Sequence, residues 1–280
     1  MLNKGIELYL KGRVLDNMSG WTIEVGANYS YNKNTVRSLG YGLTDVNVGS
    51  NSFASVGDPY PIIKTNDWVR DPQGHIVVSA TTGYPTLDPN QKKFGTTNPP
   101  TRIGLTFSIQ YKDLRLAAVA DGRFGAVIFN SLGSSLDFTG VSAYSASSGR
   151  QAFVIPNSVI QVSPGKYTPN TNVNVQDGNL YFWANVWNTA GSSYVNSADF
   201  WKLREVSLTY NVPRSILSHL KIINGLNFSI IGRNLLTWKA KDNVWSDPEF
   251  SNTIGNGIGT TDINQLPPTK FIGFNLGIVF

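Results

Sequence analysis

The last stretch of the chain, residues 270–280, alternates between large apolar side chains and small or polar ones. The large apolar residues recur at every second position: Ile272, Phe274, Leu276, Ile278 and Phe280. Successive side chains on a strand point to opposite faces, so this period predicts a strand with one face of large apolar side chains and one face of small or polar side chains. A strand of about 9–11 residues crosses a bilayer. As the last strand, it would close a barrel against the first and so avoid a free edge.

Six earlier segments alternate in the same way, so the chain is predicted to form seven antiparallel strands in all. The six span residues 5–14, 21–32, 102–111, 114–123, 200–211 and 224–235. The connections 16–20, 112–113 and 212–223 are short, whereas 33–100, 131–198 and 236–269 are long. This order is typical of outer-membrane barrels, which have short periplasmic turns and long extracellular loops. A soluble β-sandwich also alternates its faces, but nothing requires it to sort loop lengths by end.

Two local irregularities are predicted within this pattern. The first long segment is expected to hold a short strand near residues 76–79, and the second long segment is expected to be irregular. Asp121–Gly122 lies inside an alternating segment and predicts a bulge or kink rather than a strand end.

Composition favours strands over helices as the membrane-crossing elements. No run of about 18 apolar residues occurs, which excludes a transmembrane helix. Charged residues make up 15% of the chain, below the usual quarter or so. Cysteine is absent, which excludes disulfides and thiolate metal sites. The net charge of +5 is scattered and gives no nucleic-acid footprint.

The beginning of the chain has no apolar stretch typical of a signal peptide. Two interpretations follow: a cytoplasmic chain, or the back part of a longer secreted protein. Outer-membrane barrels have an even number of strands that start and finish in the periplasm. The odd strand count therefore favours the second interpretation, with at least one strand missing upstream.

Charged and aromatic residues predict what each face contacts. A charge facing lipid costs about 2–4 kcal/mol at the bilayer midplane, so four charged residues on polar strand faces are predicted to face the lumen: Arg115, Asp121, Arg123 and Glu205. Aromatic residues near strand ends predict interfacial girdles: Tyr29, Tyr31, Tyr111, Tyr210 and Phe280. Four loop aromatics are candidates for contacting substrate or a partner, or for packing the loops into the barrel mouth: Trp183, Trp187, Tyr194 and Trp245.

No catalytic, cofactor or metal site is predicted, and the chain is expected not to be an enzyme. His75 and His219 have no acidic residues at a spacing typical of metal sites. The run GNGIGT at 255–260 follows no strand and opens no helix, so it does not fit a dinucleotide-binding loop. Asp247 and Glu249 flank Pro248 as a carboxylate pair without a partner base, and this segment is predicted to structure its loop.

Several ordered stretches resemble the C-terminal end of the SusC/RagA family, the TonB-dependent transporters of Bacteroidetes outer membranes. They are ADFWKLREVSLTYNVP at 198–213, GRNLLTW at 232–238, DPEF at 247–250 and PPTKFIGFNLGIVF at 267–280. NKNTVRSL at 32–39, DPQGHIVV at 71–78 and the run at 98–130 also fit. The resemblance implies that residues 1–280 are the last third of a barrel of roughly 22 strands. The plug domain and the early strands of such a barrel are absent from this sequence.

The resemblance also implies a function: import of nutrients, oligosaccharides or peptides, across the cell outer membrane. A SusD-like surface lipoprotein would cap the barrel, outer-membrane lipid would surround it, and TonB would act through the missing N-terminal part. This chain would supply part of the all-β transmembrane barrel wall and the extracellular loops. Two other interpretations stay open: a soluble carbohydrate-binding β-sandwich, and a passive porin or non-functional fragment.

Overall fold

The computed structural model describes residues 1–218 and 222–280. His219 and part of the predicted connection 212–223 therefore lie outside the described residues. Strands make up 49% of the described residues and helices 12%. Within the described residues, no helix has the length and apolar character needed to cross a membrane.

Sixteen strands form within residues 1–218 and 222–280. In chain order they are β1 (Leu2–Met18), β2 (Trp21–Thr35), β3 (Asp45–Gly49), β4 (Ser52–Ser55), β5 (Ile62–Trp68), β6 (Val77–Val78), β7 (Leu87–Thr96), β8 (Thr101–Tyr111), β9 (Leu114–Phe124), β10 (Val127–Phe129), β11 (Val159–Ser163), β12 (Lys166–Pro169), β13 (Val195–Ser197), β14 (Phe200–Asn211), β15 (Gly225–Lys239) and β16 (Phe271–Val279). The α-helices of these residues are α1 (Ser131–Phe138) and α2 (Arg214–Leu217). Shorter helical turns span Gly40–Gly42, Phe182–Val186, Trp187–Thr189, Gly191–Tyr194 and Gly255–Gly257.

One antiparallel sheet of seven strands dominates the fold, in the order β1-β2-β8-β9-β14-β15-β16. Its strands correspond to the seven predicted segments, which confirms the predicted number. β1 and β15 extend beyond the predicted limits because pairing with their neighbours continues past the alternating residues. Short connections lie at one end of the sheet and long ones at the other. β1 and β16 form the two edges, so the described residues form an open sheet and not a closed barrel.

The pairing of β14 contains a bulge that reverses its faces. Leu203 pairs with Ala120 and Glu205 with Val119, which leaves Arg204 as an extra residue. A bulge of this kind shifts the alternation by one residue, so Arg204 and Glu205 point to the same face. β9 continues through Asp121–Gly122, which confirms that this point is not a strand end. The predicted bulge is wrong, because β9 pairs there without interruption on both sides.

The seven-stranded sheet has an apolar face and a polar face. Residues opposite each other in neighbouring strands share a face. One register row of the apolar face contains Val25, Phe107, Ala118, Val206, Gly232 and Ile272. Many large side chains on this face are exposed, among them Leu116 at 39% and Phe274 at 82%. A β-sandwich would cover such a face with a second sheet, and among the described residues none does so.

Aromatic residues border the apolar face at both ends. Trp21 and Tyr111 are opposite each other at the short-turn end, with ring centroids 4.5 Å apart. Trp201 and Trp238 are opposite each other at the long-loop end. The rise along β2 from Trp21 to Tyr31, at about 3.3 Å per residue and a tilt of about 40°, spans about 25 Å, the height of a lipid-facing apolar band. Between these limits the described residues place no charged side chain on the apolar face.

The two longest connections, 36–100 and 125–199, fold into ordered structure with a shared core. They form three small sheets, ordered β3-β4-β5-β7, β12-β11-β6 and β10-β13. Val78 of the first connection packs in one buried cluster with Val175, Phe182 and Trp183 of the second. The strand β6 confirms the short strand predicted near residues 76–79. The second connection is less irregular than predicted because this shared core orders it.

Candidate functional site

An ionic cluster lies on the polar face, where the sheet meets its long loops. Two members come from β9, two from β14 and two from the connection 240–270: Asp121, Arg123, Lys202, Arg204, Asp247 and Glu249. The bulge at Arg204 makes the cluster possible. Without the bulge, strict alternation along β14 from Glu205 would place the side chains of Lys202 and Arg204 on the apolar face.

Glu249 joins the three cations. Its Oε1 accepts a hydrogen bond from Arg204 Nη2 at 2.6 Å and forms an ion pair with Arg123 Nη2 at 2.9 Å. Its Oε2 accepts from Arg204 Nη1 and from Lys202 Nζ, both at 2.6 Å. The pair with Arg204 is bidentate, the geometry in which a guanidinium binds a carboxylate most strongly. One carboxylate therefore ties a loop to the side chains of two strands.

The remaining contacts neutralise the cluster. Lys202 Nζ donates to both oxygens of Asp247, at 2.7 and 2.8 Å. Arg204 Nη2 donates to Asp121 Oδ2 at 2.9 Å. The buried ring of Phe200 lies 5.2 Å from Lys202 Nζ and 5.7 Å from the central carbon of each guanidinium, so it adds cation–π attraction. Positive and negative groups are equal in number, which offsets the cost of taking them out of water.

The centre of the ionic cluster is the part most shielded from water. The side chains of Lys202 and Asp247 are 8% and 9% exposed, and that of Glu249 is 19% exposed. Burial by itself raises the pKa of Glu249. Hydrogen bonds from Arg204 and Lys202 and the positive charges of Lys202 and Arg123 have the larger, opposite effect. The pKa of Glu249 is therefore lowered from 4.5 to about 2. Because its donors are already paired with these carboxylates, the cluster is suited to holding the loop on the sheet.

Stability is expected to fall with acid in a window set by Glu249. Its pKa is lower in the folded state than the ordinary value, so its contribution is complete above pH 4.5 and is lost as the pH falls toward about 2. Urea unfolding of the complete protein and of Glu249→Gln should show a stability difference that narrows across this window. A difference that stays constant between these pH values would contradict the assignment.

Each residue predicted to face the lumen lies on the polar face. Asp121 and Arg123 belong to the ionic cluster. Glu205 Oε2 accepts from Arg233 Nε at 2.8 Å, and Arg115 Nη2 donates to Ser108 Oγ at 3.3 Å. The structure thus brings two of the four together and leaves two in separate pairs. That this face lines a lumen stays a prediction.

The predicted loop aromatics fall into two groups. Trp183 and Tyr194 are buried, at 3% and 1% exposure, so packing occupies their rings in this structure. Trp187 is half-buried, with its ring 5.5 Å from that of Trp68. Trp245 is half-buried and lines a cavity. Contact with substrate or a partner stays a prediction for all four.

The predicted terminal strand forms β16, the edge strand next to β15. Its apolar residues Ile272, Phe274, Leu276 and Ile278 pair in register with the apolar face of β15. Phe280 lies one residue beyond the strand and is exposed. Closure of a barrel by this strand stays a prediction.

Sequence reasoning missed Lys202 and Arg204, which are central to the cluster. The available signal was a break in alternation, because Arg204 and Glu205 are adjacent charged residues inside a strand. For Asp247 and Glu249 the sequence predicts a role in structuring their loop, but it does not identify the side chains with which they pair. Those partners lie more than forty residues earlier in the sequence: Arg204 and Glu249, for example, are 45 residues apart.

Together these features define an all-β chain with a two-faced antiparallel sheet and long loops tied to one of its ends. No protein-family model and no curated protein matches the sequence. Its fold is similar to a chain of the RagAB peptide importer in the open-open state, at 19% identity and a TM-score of 0.69. Chains of the RagAB peptide transporter and of the importer in the closed-closed state are similar too, each at 18% identity with TM-scores of 0.65 and 0.66.

These likenesses cover 99% of this chain and 28% or 29% of each solved chain. This chain therefore spans less than a third of the length of the solved chains, and the likeness shows its fold alone.

Proposed function

We propose that this chain forms part of the barrel wall and the extracellular loops of an outer-membrane nutrient importer. The observation that carries the proposal is the exposed apolar face, bordered by aromatic residues and opposite a polar face. Exposed apolar patches of more than a few hundred Å² are rare on soluble monomers, whereas lipid matches such a face. The fold shared with chains of a peptide importer supports import as the function.

The two edges of the sheet support the proposal that it belongs to a closed barrel. β1 and β16 each leave a row of backbone groups unpaired within the described residues, and in lipid each such group costs several kcal/mol. Further strands outside residues 1–280 would pair with both edges and complete the large barrel, and a plug domain would fill its lumen.

The same proposal extends to substrate and partners. Peptides are the favoured substrate class, since the similar chains belong to a peptide importer, and oligosaccharides are the alternative. A SusD-like lipoprotein would cover the extracellular loops, and TonB would act through the plug.

Membrane assembly tests this function directly. The complete protein that carries this chain, expressed with a signal peptide in a Gram-negative host, should enter the outer-membrane fraction and require detergent for extraction. Its folded form should migrate faster than the boiled form on a denaturing gel. A freely soluble monomer that does not need detergent would overturn the proposal.

A further inference from the structure

A cavity of about 300 Å³ lies next to the ionic cluster and is mainly apolar. Its walls include Leu132 of α1, Lys239 of β15, Trp245, Gln265, Pro267 and Pro268. Lys239 is opposite Phe200 in the register of β14 and β15, so the cavity lies on the polar-face side of the sheet. It is therefore on the side proposed to meet the substrate.

The indole of Trp245 is held against α1. Gly133 of this helix has no side chain, and a Cβ atom there would lie 2.6 Å from Trp245 Cδ2. The close approach requires glycine at this position and fixes one wall of the cavity. A rigid aromatic wall suits an apolar side chain.

Lys239 supplies a cation that no carboxylate of the described residues contacts directly. Its Nζ donates to the carbonyl oxygen of Ser246 at 3.0 Å, and an ammonium has further donors. Asp247 also lines the cavity, but both its oxygens accept from Lys202. Among residues 1–218 and 222–280, no carboxylate oxygen lies within 4.0 Å of Lys239 Nζ.

Gln265 supplies an acceptor without a donor. Its Oε1 is buried and has no hydrogen-bond partner among the described residues. A buried acceptor left unpaired costs free energy, which an N–H group from a ligand would recover. The cavity thus combines a cation, an acceptor and an apolar wall.

We propose that this cavity binds the C-terminal residue of a peptide. Lys239 pairs with the terminal carboxylate, Gln265 Oε1 accepts the amide N–H, and an apolar side chain packs against Trp245 and the two prolines. A neutral oligosaccharide offers no anion to Lys239. The inference rests on the proposed function and names the substrate class and the end of the peptide that this subsite recognises.

Calorimetric titration of the complete protein in detergent tests the subsite. The probes are Ala-Ala-Leu as the free acid, the same peptide as the C-terminal amide, and maltotriose. The free acid is expected to bind at least about tenfold more tightly than the amide, because a charged hydrogen bond is lost in the amide. Lys239→Gln should remove this preference, whereas Lys241→Gln, on a neighbouring exposed lysine, should retain it. Trp245→Ala should weaken both peptides at least about tenfold.

Equal affinity for acid and amide, an unchanged preference in Lys239→Gln, or no peptide binding would overturn the subsite. Binding of maltotriose that Trp245→Ala abolishes would overturn the peptide assignment. Fractionation and heat-dependent gel mobility of the same samples report separately on the proposed function. A correctly assembled membrane protein without the acid preference refutes the subsite alone.

Discussion

Replacement of Glu249 by glutamine is expected to lower the free energy of unfolding by about 2–4 kcal/mol. Loss of one partner from a buried ion pair typically costs about 3–5 kcal/mol, and the partial exposure of Glu249 reduces this. The carboxylate accepts hydrogen bonds from Arg204 and Lys202 and forms an ion pair with Arg123, so its loss leaves three cations with too little negative charge. Urea unfolding of the complete protein in detergent measures the change.

Glu205→Gln is the matched control, because Glu205 also pairs with an arginine on the polar face. The side chains of Glu205 and Arg233 are 35% and 55% exposed, and exposed pairs contribute about 0–1 kcal/mol. The control should therefore unfold almost like the wild type. Equal effects of the two substitutions would show that the cluster does not hold the loop on the sheet.

Replacement of Val25 by arginine is expected to cost about 2–4 kcal/mol, the penalty for a charge at the midplane of a lipid-facing strand. Val25 lies between Trp21 and Tyr31 on the apolar face and is 40% exposed. If water covered this face, an arginine at such an exposed position would change stability by only about 0.5 kcal/mol. The substitution therefore reports which solvent covers the apolar face. Its effect is measured by urea unfolding in lipid vesicles and by the yield of folded protein in the outer membrane.

Thr106→Arg is the control on the opposite face. Thr106 is an exposed residue opposite Gly26 in β2, one position away from the row that contains Val25 and Phe107. An arginine there faces the polar side and should change stability by less than about 1 kcal/mol. Near-wild-type stability of Val25→Arg in vesicles would contradict a lipid-facing position for this face.

Much of the main sheet could be predicted because its information is local. Alternation within segments such as 102–111 and 200–211 defines both the strand and its two faces, and the order of short and long connections predicts antiparallel neighbours. The ordered structure of the long connections could not be predicted in the same way. Val78 and Phe182 meet in one core, and nothing in the sequence near either residue indicates that contact.

At Arg204 the face predicted from the local sequence pattern differs from the face that the tertiary structure gives it. The sequence alone determines that residues 200–211 form a strand and that Val206, Leu208 and Tyr210 share its apolar face. Pairing with β9 and β15 decides the register, and that register leaves Arg204 unpaired in a bulge. The bulge reverses the alternation of faces and so turns Lys202 and Arg204 toward Glu249. Burial of these charges is favourable only where all their partners meet. Those partners come from two strands and a loop that are distant in sequence, so only the folded chain brings them together.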